Sequence, residues 1–132
     1  MIKNKKLISI GLIALLIIIV FWMLGEYRGE EIWTQVKKEK AITVAKVVKF
    51  EYPTKGTEYN LFYNFNLEGK TYEHFLTTTN QNFEKLIQQS FPIIFYKKNP
   101  EYNQILITQD DFKKYDLSYP DSIKRLVDSL LK

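Results

Sequence analysis

The chain has 132 residues, 19 Lys and Arg against 15 Asp and Glu for a formal net charge of +4, and no cysteine. The missing cysteine excludes disulfides, thiolate zinc sites, a thiol nucleophile and a lipidated N-terminal cysteine. Lys3, Lys5 and Lys6 supply three of the basic residues ahead of the first apolar run, so the rest of the chain is near neutral, 16 against 15, with no electrostatic case for nucleic acid.

Leu7 to Leu24, LISIGLIALLIIIVFWML, holds no charge and no proline. As a helix at about 1.5 Å per residue it is roughly 27 Å long, close to the ~30 Å hydrocarbon core of a bilayer. It has none of the polar face that a helix of a water-soluble domain carries. It also exceeds the apolar stretch of a secretory signal, and Gly25-Glu26-Tyr27-Arg28 after it is not a small-x-small cleavage site. Residues 1–25 therefore read as an uncleaved anchor, with the lipid bilayer as its partner through residues 7–24 and with Trp22 and Tyr27 near one interface. A six-residue tail with three lysines, directly at the membrane, places the N-terminus in the cytoplasm. Arg28, Lys37, Lys38 and Lys40 oppose that count from positions that are mostly farther from the span. The remainder of the chain is then expected outside the cytoplasm.

Residues 26–40 mix both charge signs and read as a juxtamembrane stalk that continues the helix, with Ile32, Trp33 and Val36 available to pack back on the domain. Residues 41–132 form that domain, one core's worth of chain. Ala41 to Phe50 is apolar on both phases of a period-2 pattern, as in a strand buried on both faces or bent through a barrel. Tyr59 to Leu67 alternates cleanly, with Tyr59, Leu61, Tyr63, Phe65 and Leu67 on one face and Asn60, Phe62, Asn64 and Asn66 on the other. Glu68-Gly69 is a two-residue hairpin turn, and Lys70 to Thr78 returns as a third strand. Asn80 caps a short helix carrying Phe83, Leu86 and Ile87, which Pro92 ends. Ile93 to Tyr96 and Gln104 to Thr108 are two more strands, joined through an Asn99-Pro100 turn. Asp110 to Tyr115 is a helical turn capped by an aspartate. Pro120 opens a last helix with Ile123, Leu126, Val127, Leu130 and Leu131 on one stripe, which must be covered by the sheet, a partner or a membrane surface. The expected fold is α+β: a transmembrane helix, then a small five-stranded antiparallel barrel or rolled sheet in the order β-β-β-α-β-β, then the amphipathic helix. An oligonucleotide/oligosaccharide-type barrel and an SH3-type roll both fit that order.

Leu67-Glu68-Gly69-Lys70-Thr71-Tyr72, with its G-K-x-Y step, and Phe91-Pro92-Ile93-Ile94-Phe95-Tyr96-Lys97-Lys98-Asn99-Pro100 resemble a bacterial family of membrane-anchored domains of unknown function. The tail Tyr119-Pro120-Asp121-Ser122-Ile123-Lys124 is similar to the ending of a Bacteroidetes-type group. The resemblance spans roughly Ile42 to Ile107 plus that tail, and the chain departs from commoner members in lacking a second hydrophobic helix after the strands. It implies a bacterial inner membrane and a small β domain, and brings no activity with it.

Chemistry-bearing residues are sparse. His74 is the single histidine and cannot by itself build a multi-histidine metal site. Glu30-Glu31 falls in the stalk, and Asp110-Asp111 suits a helix start, where negative charge is favoured. No nucleophile elbow, HExxH, phosphate-binding glycine loop or calcium loop occurs. No enzyme activity, cofactor or metal is expected. The expected function is that of a non-catalytic protein-interaction module whose partner is another envelope protein. The alternative is a barrel face with Tyr59, Tyr63 and Phe65 stacked on a glycan or lipid headgroup; the same three rings otherwise fill the core.

Overall fold

The computed structural model describes the backbone of residues 2–131 and the side chains of residues 9–24 and 29–131. Lys3, Lys5, Lys6, Tyr27 and Arg28, which carry the orientation and interface expectations, lie outside the described side chains. The chain divides into two compact units, Met1–Gln35 and Val36–Lys132.

The first unit is helical over its described residues, as the main part of α1 (Ile2–Glu39). Large apolar side chains from Ile10 to Leu24 are each between 42% and 71% exposed, on every side of the helix. α1 is long and apolar enough to cross a membrane.

The second unit takes in the last turn of α1, where Val36 is fully buried. That helix ends at Lys40, whose backbone is left-handed (φ 49°) and whose N–H donates to the Val36 carbonyl at 3.0 Å, a terminal loop that usually belongs to glycine. The Lys40 ammonium donates to the Tyr115 carbonyl at 3.1 Å. Beyond it lie five strands: β1 (Ala41–Glu51), β2 (Tyr59–Leu67), β3 (Lys70–Thr78), β4 (Ser90–Phe95) and β5 (Asn103–Ile105). They pair antiparallel in the order β3-β2-β1-β4-β5, a curled half-barrel with β3 and β5 at its edges. Of the two expected forms, this is the open, rolled one.

β1 bends instead of being buried on both faces. Val47 opposes Tyr63 and Lys49 opposes Phe62, so Val48 is an extra residue, a β-bulge. Before the bulge Ala41, Ala45 and Val47 face the core; after it the inward phase passes to Phe50. One strand therefore shows apolar residues on both phases while covering one face, and Ile42 and Val44 remain exposed on the other at 45% and 63%.

The concave face holds the core: Leu61, Tyr63, Phe65, Phe91, Ile93 and Phe95, closed by Phe83 and Leu86 below and by Val127 with the rest of the α3 (Asp121–Leu131) stripe. Full burial of each large side chain contributes about 1.5–3 kcal/mol. The crossover after β3 is a 3₁₀ helix, Gln81–Leu86, not the expected α-helix. Asn80 does cap it, its side-chain oxygen accepting from Asn82 N at 3.0 Å. Pro92 lies inside β4 instead of ahead of it. Its carbonyl accepts from Leu106 N at 2.8 Å, so its nitrogen points to the β5 side, past the end of that three-residue strand, and the β1 ladder loses no donor. Gln104 shares the convex face with Ile94 and there meets α2 (Gln109–Lys114) through Asp111, and the residue that caps the end of α2, Tyr115, through its hydroxyl. α2 is capped by Thr108, with Asp111 returning the bond to Thr108 N at 2.9 Å, a capping box in place of the expected aspartate cap.

Leu67 pairs with Lys70 across Glu68 (φ 50°) and Gly69 (φ 82°), which makes the turn type I′. Asparagine tolerates the first of those positions better than glutamate. Glu68→Asn is expected to stabilise the fold by up to ~1 kcal/mol and Gly69→Ala to destabilise it by about 1 kcal/mol, read from urea denaturation of the detergent-solubilised chain by the near-UV circular dichroism of its tyrosines.

Candidate functional site

His74 lies on the concave face of β3, opposite Tyr63, with ring centroids 6.0 Å apart. Its Nδ1 is 3.1 Å from the Phe75 carbonyl. Among the described residues no group of three His, Asp or Glu side chains is placed to hold a metal ion. Glu30 and Glu31 are exposed on α1, and Asp111 is occupied in the α2 cap.

The three rings of the expected stacking platform point inward. Tyr63 and Phe65 are 2% exposed, and Tyr59 packs on the core with its ring against Phe50 at 5.3 Å. Tyr63 is further committed: its hydroxyl donates to Asn103 Oδ1 at 2.5 Å, and Asn103 Nδ2 donates to the carbonyls of Pro100 and Glu101 at 2.9 and 3.2 Å. Asn103 is the buried polar residue that ties the β4–β5 connection to β2, and no local pattern sets it apart from the other asparagines of the strands and turns.

Among the described residues, two features of the curled sheet are open to a ligand. One is a cleft of about 500 Å³ between the β2–β3 turn and the β4–β5 connection, lined by Tyr72, Phe95, Lys97, Lys98, Glu68 and Pro100. The Lys70 ammonium sits 4.8 Å from the centre of the Tyr72 ring beside it. Aromatic walls under a rim of lysines suit a small anionic group with an apolar body. The Lys-Lys-Asn-Pro turn is visible in the sequence, but its closeness to Tyr72 is not, because it depends on how the sheet curls.

The other is the free edge of β3. Its nine residues pair with β2 without a bulge from Leu67–Lys70 to Tyr59–Thr78. A two-residue primed turn is closed by a hydrogen-bonded pair, so the alternation of the antiparallel ladder directs Lys70, Tyr72, His74, Leu76 and Thr78 to β2. Thr71, Glu73, Phe75 and Thr77 then turn their backbone N–H and C=O outward from the sheet. The side chains of that convex row are partly satisfied: Thr71 donates to Asn66 at 2.5 Å and Thr77 to Asn60 at 3.2 Å. Phe75 stands 47% exposed between them, its ring 5.6 Å from that of Phe62.

Comparison of the chain with protein families, with curated proteins and with solved structures finds no match.

Burial raises the phenol of Tyr115, to about 12, with Asp111 adding to the shift, and burial likewise raises that of Tyr63. The unfolded phenols ionise near 10.0. Below that pH both states keep the proton and these groups leave stability unchanged; as pH rises from 10 toward 12 the unfolded chain releases protons that the folded chain retains, and stability falls. Tyr115→Phe is expected to cost about 1 kcal/mol at neutral pH through the lost bond to Gln104 and to flatten the alkaline decline, as measured by urea titrations between neutral pH and the alkaline limit. An unchanged alkaline slope would exclude Tyr115 as its source.

Proposed function

We propose that this chain is a membrane-anchored, non-catalytic interaction module. The apolar α1 holds it in a bacterial inner membrane with the N-terminus in the cytoplasm, and the β unit acts at the outer face. The observation that carries the proposal is the unpaired edge of β3: a long, regular edge strand without proline or bulge is a template for another strand. The α3 stripe, the other candidate for docking, packs on the core. The exposure of every large side chain from Ile10 to Leu24 supports the anchor, since lipid is the solvent that favours such a surface.

A photoreactive amino acid placed at Thr71, Phe75 or Thr77 in intact membranes is expected to give a recurrent protein adduct, and the same group at exposed Lys124 on α3 is expected to give none. Adducts that are equally frequent from both elements, or absent from β3, would refute edge docking. An alkaline phosphatase fused after Lys132 is expected to be active, and an inactive fusion would reverse the orientation.

The cleft over Tyr72 and Phe95 favours a second activity of the same module, the holding of an anionic lipid headgroup between Lys97 and Lys98. Short-chain phosphatidylglycerol is expected to shift the ring resonances of Tyr72 and Phe95 in neutral detergent, and Lys97→Glu with Lys98→Glu to remove the shift. An equal response to phosphatidylcholine would exclude headgroup recognition.

A further inference from the structure

We infer that the partner at the β3 edge is a second copy of this chain, paired antiparallel about a twofold axis at Phe75. The inference rests on the edge docking proposed above and names its occupant.

Residues that turn their backbone outward must face others that do so, since only these exchange hydrogen bonds across such a pairing, so the axis must bring Thr71, Glu73, Phe75 and Thr77 of one copy against the same set of the other. Overlap and charge then select among the registers: an axis at Tyr72 or Leu76, or nearer either end, overlaps at most five of the nine residues of β3, 70–74 or 74–78. An axis at Glu73 sets two carboxylates directly opposite, which is destabilising. An axis at His74 sets Glu73 against Phe75 twice, placing a carboxylate on each exposed ring.

With the axis at Phe75, Glu73 faces Thr77, Phe75 faces Phe75, and no like charges meet. Each facing pair exchanges two backbone hydrogen bonds. The Phe75 carbonyl that lies 3.1 Å from His74 Nδ1 keeps a second lone pair for this. On the convex face the Phe62–Phe75 ring pair of one copy, 5.6 Å apart, adjoins that of the other, covering the aromatic surface that β3 leaves exposed. On the concave face the half-buried His74 meets Leu76, and Tyr72 meets Thr78. The β5 edge, three residues long, offers no comparable ladder. An anchor that confines copies to one surface raises their effective concentration for this contact.

The absence of cysteine makes the register directly readable. Hydrogen-bonded partners have Cα atoms about 5.5 Å apart, within disulfide reach. The full-length chain carrying Glu73→Cys and a differently tagged chain carrying Thr77→Cys, co-expressed and oxidised in membranes, are expected to form a mixed disulfide dimer. Either alone is expected to remain monomeric, because each residue lies about four positions from its own copy, over 12 Å at ~3.3 Å per residue. Phe75→Cys alone is expected to dimerise. Adding Phe75→Pro to the mixed pair removes an outward N–H without cutting the β2 ladder and is expected to abolish the dimer band, with near-UV dichroism unchanged. A dimer from Glu73→Cys alone, or none from the mixed pair, overturns the inference. If photoadducts of β3 with a different protein persist in that case, the interaction module stands and only its partner changes; if β3 gives no adduct of any kind, both fall.

Discussion

The β unit depends on one extra residue in its central strand. β1 joins the two halves of the sheet, with Ala41 to Lys46 paired to β4 and Lys46 to Glu51 paired to β2, so any change in its course is imposed on the whole sheet. Val48 has no counterpart in β2, and the strand changes phase there. On the β4 side, Val47 is bonded instead to the turn at Gln88 and Gln89, its carbonyl accepting from Gln88 N at 2.8 Å and its N–H donating to the Gln89 carbonyl at 2.9 Å. A bulge increases local twist and bends the strand. The concavity it produces is what the 3₁₀ helix and α3 fill, and the curl brings the β4–β5 connection near the β2–β3 turn to form the cleft.

Two kinds of apolar surface coexist in the chain and obey different solvents. In the β unit, large side chains on the concave face are almost completely covered, and the polar group buried with them, Asn103, has its hydrogen bonds made by Tyr63 and two carbonyls. In α1 the large side chains from Ile10 to Leu24 are exposed all round. Intramolecular packing explains the first and does not address the second. An apolar cylinder with every backbone bond satisfied within itself is the form that lipid tolerates.

Satisfaction of the backbone also sets where the β unit can bind. Along β3 the side chains of the convex row are largely committed to β2, Thr71 to Asn66 and Thr77 to Asn60, which leaves the main chain as the resource at the edge. Recognition through main-chain bonds is tolerant of sequence, so in the proposed edge docking specificity would come from the few side chains that face across, Glu73 and Phe75.

Elements that rest on short-range physics are legible in the chain alone. The apolar run of α1 comes from composition, the alternation of β2 from a period of two, the Glu68-Gly69 turn from a positive φ that glycine supplies, and the α3 stripe from a period of 3.6. Phe75 and Asn103 stand in the same chain unmarked, and nothing in it sets Lys97 and Lys98 beside Tyr72, since proximity across a sheet is set by strand order and register. Local pattern is blind to those. Long-range pairing settles that β1 bends instead of being covered twice, because a bulge is visible as a shift between two strands and not within one. It also places Pro92 inside β4, because that depends on which neighbour its nitrogen faces. The strand order, finally, makes β3 an edge, since β5, at the far end of the sheet and three residues long, is not paired to it.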